Sequence, residues 1–326
     1  MSKSNNILLG DFALKHEIVV GTRESRLAMW QACWVVERLR VLNPERSYRI
    51  KGIRTRGDKI LDLALAKIGD KGLFTKELEY AILCGEIDMA VHSMKDLPTE
   101  LPEGLSIGAM CEREYPGDVL ISHGGKTLEV LPSGAVIGTS SLRRAAQILN
   151  YRRDLKIVDL RGNLQTRLRK LDENKFDATV LAFAGVHRMG LDFRIAQVIP
   201  FEICLPAVGQ GSVGVEVAAD NDEILALLKN IDHPDSRQAI TAERSFLRKL
   251  EGGCQVPIGA HAKIEGSCLH LEGTVVSLDG REKVRSSVVG DMQDAENIGV
   301  KLAEKLISLG AGEILSKVRQ EKKCDG

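Results

Sequence analysis

The run Val20-Gly21-Thr22-Arg23-Glu24-Ser25-Arg26-Leu27-Ala28-Met29-Trp30-Gln31 is answered, with one gap, by Ile137-Gly138-Thr139-Ser140-Ser141-Leu142-Arg143-Arg144-Ala145-Ala146-Gln147. Each copy reads as a strand, a Gly-Thr turn followed by hydroxyl side chains, and a helix with arginine in its first turns. Such a junction leaves the first helical N–H groups unpaired and places the positive end of the helix dipole beside them, so each copy is a ready anion site. Strand–turn–helix junctions also recur in unrelated α/β chains, but the shared arginine register favours two related domains.

Working outward, runs rich in β-branched residues alternate with helical patterns. A strand is expected over 17–20, a helix over 26–40, a second helix opening at 74–77 with Thr75 as its N-cap, and a strand over 87–91. That alternation predicts an α/β protein with mostly parallel sheets. A second segment starts near Gly117, after the loop Arg113-Glu114-Tyr115-Pro116, and a third after Asp232-His233-Pro234. The third should hold a helix over 235–250, strand-like hairpins around 269–276 and 283–289, and an amphipathic helix over 294–309. The polar tail after Arg319 is expected to fray.

With 326 residues the chain can bury two or three cores. A hydrophobic content of 44% and a charged content of 28% are ordinary for a globular protein. The formal net charge of zero argues against a polycation seeking nucleic acid or a membrane surface, and 4% aromatics leave little for base stacking. No stretch approaches the roughly 20 apolar residues of a membrane helix, and residues 1–17 lack a secretory signal pattern, so a cytoplasmic location is expected. The seven cysteines form no C-x-x-C pair and the histidines keep no metal-ligand spacing, so neither a disulfide framework nor a metal site is expected. One thiol stands apart. Cys254 lies in Leu250-Glu251-Gly252-Gly253-Cys254-Gln255-Val256-Pro257-Ile258-Gly259, a glycine-framed loop that another molecule can approach closely.

Between Arg143 and Lys170, seven arginines and two lysines against Asp154 and Asp159 leave a surplus of seven positive charges. Guanidinium forks suit carboxylate or phosphate. Arg152, Arg153, Arg169 and Lys170 are explained by a solvated helix face; Arg143, Arg144 and Arg161 sit at strand-to-helix junctions, where α/β sheets bind ligands, and Arg167 follows within the next helix. Together they predict a polyanionic ligand. Asp96, in Val91-His92-Ser93-Met94-Lys95-Asp96-Leu97-Pro98, is the best acid–base candidate, because the neighbouring ammonium favours its ionised form. On spacing alone, a surface Lys–Asp pair fits equally well. Gly209-Gln210-Gly211-Ser212-Val213-Gly214 fits G-x-G-x-x-G but is followed by the strand-like Val215-Glu216-Val217 rather than a helix, so no dinucleotide site is expected.

Taken together, Val91-His92-Ser93-Met94-Lys95-Asp96, Gly138-Thr139-Ser140-Ser141-Leu142-Arg143-Arg144, Leu160-Arg161-Gly162-Asn163, Leu205-Pro206-Ala207-Val208-Gly209-Gln210-Gly211 and the Cys254 loop resemble the porphobilinogen deaminase (hydroxymethylbilane synthase) family of tetrapyrrole biosynthesis. The resemblance runs from about Val20 to the C-terminal helix. It implies an α/β fold of three domains: two periplasmic-binding-protein-like lobes around a cleft, and a smaller α/β domain carrying the cofactor cysteine. The first would be discontinuous (1–112 and 212–230), the second would span 117–206 and the third 234–326. The implied reaction joins four porphobilinogen molecules head to tail, releasing four ammonia, on a dipyrromethane primer held by Cys254 as a thioether. Asp96 matches the catalytic carboxylate, which would stabilise the azafulvenium cation left when ammonia departs. Arg23, Arg143, Arg144, Arg161, Arg167 and Arg188 match positions that bind the carboxylates of cofactor and substrate; Ser25, Ser93, Lys95, Thr139, Ser140 and Ser141 match polar contacts. A monomer without nucleic-acid or membrane partners is implied. One departure is visible: the family commonly reads Asp-Pro-Arg-Asp where this chain has Tyr115-Pro116-Gly117-Asp118, which puts hinge contacts in question. Two other readings explain parts of the pattern, an organic-anion binding protein with two lobes and a nucleic-acid binder using the basic patch. Neither uses the glycine-framed thiol.

Overall fold

A computed structural model describes residues 17–59, 73–250 and 256–324; Cys254 lies outside the described residues. The first copy of the repeat forms strand β1 (Ile18–Arg23), which buries Ile18 and Val20 and runs into Ser25. Ser25 Oγ accepts the Ala28 N–H at 3.3 Å and caps helix α1 (Arg26–Leu42). Ala32, Val35, Val36 and Leu39 recur at helical spacing, so α1 lays one fully buried stripe on the sheet. Strand β2 (Tyr48–Ile53), helix α2 (Lys76–Leu83), β3 (Met89–Ser93) and β4 (Leu105–Met110) follow. Thr75 stands at the N-cap of α2, as the sequence predicts, but its side chain makes no capping bond; the hydroxyl bonds Glu79 instead.

The chain then crosses over to build β5 (Asp118–Ser122), β6 (Val136–Gly138), α3 (Leu142–Tyr151), β7 (Lys156–Val158), α4 (Leu164–Asp172), β8 (Ala178–Ala182), α5 (Phe183–Arg188) and β9 (Gln197–Val198). It crosses back into β10 (Val213–Ala218) and α6 (Asp222–Leu228). The two sheets have the same order, β2-β1-β3-β10-β4 and β7-β6-β8-β5-β9. In each, three parallel strands carry the repeat strand in the middle, and an antiparallel strand from across the junction completes the sheet. The fifth strand, β4 or β9, pairs antiparallel with that reversed strand, so four of the five strands in each sheet run one way and the sheets are mixed. Sequence order could not reveal this, because β10 pairs with strands more than a hundred residues earlier. The strand expected after Gly211 is β10. Gly211 itself has φ +96, and a Cβ there would stand 2.3 Å from the Glu114 carbonyl oxygen, so the two crossing segments touch where only glycine fits.

The third unit opens with α7 (Pro234–Lys249), capped by the His233 side chain, and continues with the antiparallel sheet β11 (Ile258–Glu265), β12 (Cys268–Val276) and β13 (Lys283–Asp291). Helix α8 (Ala295–Leu306) packs with α7 on that sheet around Phe246, Leu271 and Leu302. After a single π-helical turn, α9 (Gly312–Cys324) runs on through the tail that the sequence left as frayed. Arg319 donates to the Leu250 carbonyl at 3.0 Å, and Ile314, Leu315 and Val318 are buried against the core, which is why the helix continues.

Candidate active site

A cavity of about 530 Å³ lies between the two five-stranded sheets, lined from both sides. Its floor is the single 3-10 turn Met94–Asp96 at the end of β3. Met94 is fully buried, and the Cβ that Gly214 lacks would sit 2.3 Å from its Sδ. Seating Met94 under β10 leaves its neighbours Lys95 and Asp96 on the cavity wall. The segment after Asp96 is clamped by the third unit: Arg244 donates to the carbonyls of Leu97 (3.4 Å) and Pro98 (2.6 Å), and Arg248 to that of Thr99 (3.1 Å). The helix making these bonds, α7, ends at Lys249, five residues before Cys254 in the sequence.

From the first sheet, Arg23, Ser25 and Ser93 line the same cavity. Arg23 is ion-paired with Asp58 and stacks on Phe74, 4.2 Å from the ring centroid. Burial opposes the Asp58 charge, but the Arg23 guanidinium outweighs it and holds the carboxyl below its usual range. Ser93 exchanges hydrogen bonds with the Gln31 side-chain amide. From the second sheet come Arg144, Arg161, Arg167 and Arg188. Arg188 donates to Gly211 O at 2.6 Å. Arg167 Nε donates to Gly162 O at 2.9 Å, and burial together with Arg144 lowers its pKa to about 10. Arg161 is the most informative. Asp159 Oδ2 stands 3.5 Å from its Nε, within ion-pair reach, yet the geometry is not that of a hydrogen bond, and buried Nε and Nη2 have no hydrogen-bond partner among the described residues. Unpaired guanidinium donors at a cavity wall are costly unless an anion completes them. Lys95 donates to Gln210 Oε1 at 3.3 Å; burial, then Arg144, lowers its pKa to about 8, although Asp96 and Asp118 oppose them.

Four expected contacts lie elsewhere. Arg143 does not line the cavity: its Nη1 donates to Asp118 Oδ2 and Leu205 O, both at 2.7 Å, and it is 5% exposed. Ser140 is spent on Leu160, whose carbonyl it donates to at 2.6 Å and whose N–H it accepts at 3.1 Å. Ser141 caps α3 by accepting the Arg144 N–H, and Thr139 accepts the Ser141 N–H, so these hydroxyls hold the turn itself. Arg144 has a double role. It lines the cavity, but Nε and Nη2 donate to Asp118 Oδ1 at 3.1 and 2.7 Å, and Nη1 to Val180 O at 3.0 Å. Burial would raise the Asp118 carboxyl, but the guanidiniums of Arg143 and Arg144 prevail and hold it far below the ordinary carboxylate range.

Sequence reasoning missed Asp118, Gln210 and Glu243. Gln210 is 1% exposed and joins both crossing segments: its amide donates to Pro116 O (2.7 Å) and Asp118 Oδ1 (2.9 Å), while its oxygen accepts from Lys95. Glu243, fully buried on α7, accepts from Arg113 at 2.6 and 3.1 Å, from Gly209 N at 2.8 Å and from Ala262 N at 2.7 Å, so one carboxylate ties the third sheet to both crossing segments. The unusual Tyr115 stacks on Phe201 at 5.6 Å and meets Phe183 edge-on at 5.3 Å, and its ring covers Gly117. Aromatic packing thus fills the hinge where the sequence pattern departs from the family's.

Residues 18–226 match the family model described as "Porphobilinogen deaminase, dipyromethane cofactor binding domain", and residues 237–308 match "Porphobilinogen deaminase, C-terminal domain". The chain is 66% identical over 310 residues to the porphobilinogen deaminase of Pelotomaculum thermopropionicum, covering 95% of this chain and 99% of that one. It is 57% identical over 308 residues to that of Carboxydothermus hydrogenoformans, covering 94% and 99%. Among solved structures, the Bordetella pertussis BvgS VFT2 domain is similar at a TM-score of 0.41 and 15% identity, covering 66% of this chain and 85% of that one.

Proposed function

The chain belongs to the porphobilinogen deaminase family, and on that premise we propose that Asp96 is the catalytic carboxylate and Cys254 the cofactor anchor of a hydroxymethylbilane synthase. The enzyme is a transferase that condenses four porphobilinogen molecules head to tail, with release of four ammonia. Each substrate carries carboxylate side chains, so a lengthening chain is a growing polyanion. The observation that supports this reading best is the pair of buried Arg161 donors that make no hydrogen bond among the described residues, on the wall of the cavity that Asp96 shares. Those donors suit the carboxylates of a dipyrromethane. Cys254 would hold the cofactor as a thioether, with Arg161, Arg167, Arg144 and Lys95 around its side chains. When bound, it supplies a free pyrrole carbon as the first acceptor.

The protein's own part is positioning and charge. Arg161 and Arg167 bind and orient carboxylates, and Lys95 adds a charge that depends on pH. Asp96 lines the cavity within the charge field of Lys95 and Arg167, where its carboxylate can face the substrate. As ammonia leaves, its carboxylate stabilises the positive charge on the substrate pyrrole, then accepts the ring proton after the carbon–carbon bond forms. Met94 beneath the turn and Arg244 beyond it keep that carboxylate in place.

A monomeric, cytoplasmic enzyme is part of the same proposal; no helix among the described residues is long and apolar enough to cross a membrane. The test is porphobilinogen turnover by the purified protein, with ammonia measured alongside. One ammonia per porphobilinogen is expected, with Asp96→Ala losing most turnover. A fully active Asp96→Ala would reject the role given to that residue.

A further inference from the structure

Behind the 3-10 turn lies a buried cluster that the chemistry above does not use. His92 on β3, Glu79 on α2 and Glu216 on β10 are 5%, 6% and 0% exposed. His92 Nε2 stands 3.1 Å from Glu216 Oε2, within ion-pair reach, but the angle is not that of a hydrogen bond. His92 Nε2, both Glu216 carboxylate oxygens and Glu79 Oε1 consequently have no hydrogen-bond partner among the described residues. Two carboxyls and an imidazole left this poorly paired in a core are expensive, and packing alone gives no reason to keep them. His92 also lines a small second cavity of about 60 Å³, together with Arg23, Ser25, Ser93 and Asp96. A water needs about 10–15 Å³ of such space, so this cavity has room for a few. His92 is therefore common to the buried carboxyls and to a water-sized space that reaches Asp96.

Building on the role given to Asp96, we propose that His92, backed by Glu216 and Glu79, is a positioning residue that stores the proton Asp96 collects in each condensation. The substrate's C–N bond breaks with its electron pair on nitrogen, and the methylene carbon bonds to the α-carbon of the acceptor pyrrole. The C–H bond at that carbon then breaks, its electrons restore the aromatic ring, and its proton passes to Asp96. Water in the small cavity carries the proton to His92, whose imidazolium is balanced by Glu216. The stored proton returns by the same route to the amino group of the next substrate, which needs one proton to depart as ammonia. Charges facing His92 are those of Glu216 from β10 and Glu79 from α2, the latter bonded to Thr75 with Lys76 nearby. Across the cavity stand Asp96 and Arg23, the latter already paired with Asp58.

The first test needs no turnover. In the resting holoenzyme labelled with 15N-histidine, the His92 ring signals, assigned with His92→Asn, should move in both Glu216→Gln and Asp96→Asn. A His92 signal indifferent to Asp96→Asn overturns the proposal. Kinetically, His92→Asn should lower kcat on the order of tenfold to a hundredfold, the lower range of acid–base effects. KM should be nearly unchanged and the solvent deuterium isotope effect larger, with imidazole restoring part of the rate to His92→Ala. Parent-like kcat and isotope effect, or a kcat loss that follows the melting temperature without an isotope effect, would refute it. If His92→Asn does not fold, Glu216→Gln carries the same kinetic test. An inactive Asp96→Asn beside a silent His92→Asn sinks only the relay; an active Asp96→Asn sinks the reading of Asp96 itself.

Discussion

Asp118→Asn is the substitution whose cost can be worked most directly from the structure. The carboxylate is fully buried and accepts from Arg143 Nη1 (2.7 Å), from Arg144 Nε and Nη2 (3.1 and 2.7 Å) and from Gln210 Nε2 (2.9 Å). Asparagine keeps the shape but removes the negative charge from between two buried guanidiniums and turns an NH₂ group toward donors. Removing one partner of a buried ion pair costs about 3–5 kcal/mol. At roughly 2–4 °C per kcal/mol for a chain of a few hundred residues, the melting temperature should fall by about 6–20 °C. The loss also has a pH signature. Because the folded Asp118 carboxyl is held below its ordinary value of 3.8, its contribution is complete above that value and is lost as the pH falls below it. The gap between parent and variant should therefore narrow on acidification below about pH 4. Thermal unfolding by circular dichroism at several pH values measures both. Adding Arg143→Met should recover part of the loss, because it removes one uncompensated cation. A melting temperature within about 2 °C of the parent at pH 7 would refute the view that Asp118 holds these two arginines in place.

Three further outcomes follow from the same geometry. Arg143→Met should lower stability and leave KM unchanged, whereas Arg161→Ala should raise KM about 10- to 100-fold, the worth of one or two charge-assisted hydrogen bonds, with the melting temperature unmoved; steady-state kinetics beside thermal melts separate them, and the reverse pattern would exchange their roles. Lys95, lowered to about 8, discharges as the pH rises through that value, so KM for porphobilinogen should climb above pH 8 in the parent and stay flatter in Lys95→Arg; on stability the sign is opposite, because the unfolded lysine keeps its proton up to about 10.5 and folding becomes more favourable between the two values. Glu243→Gln should cost about 3–5 kcal/mol and loosen the third unit from the lobes, giving two calorimetric transitions where the parent shows one; a single unshifted transition would contradict the junction.

The parts that were legible in the sequence are those encoded locally. The repeat at Gly21-Thr22 and Gly138-Thr139 fixes β1–α1 and β6–α3, because strand, turn and capped helix are all determined within a dozen residues. Arg161 and Asp96, both singled out in the sequence at the ends of strand-like runs, line the same cavity. Arg143 was misread because its partners come from far away: Asp118 lies across the lobe and Leu205 on the returning segment. Ser141 was misread for the opposite reason. A serine three residues before Arg144 is an N-cap signature, and that local role uses the hydroxyl assigned to ligand contact. Gln210 and Glu243 carry no signal in one dimension, since each is defined by a partner far off in the chain, 92 residues away for Gln210–Asp118 and 130 for Glu243–Arg113.

The central claim, a permanent primer on Cys254 served by Asp96, is met most directly by intact-protein mass spectrometry. The purified protein should exceed its sequence mass by two linked pyrrole units, Asp96→Ala should carry the same excess, and Cys254→Ser should not. A fully active protein at the bare sequence mass would contradict it.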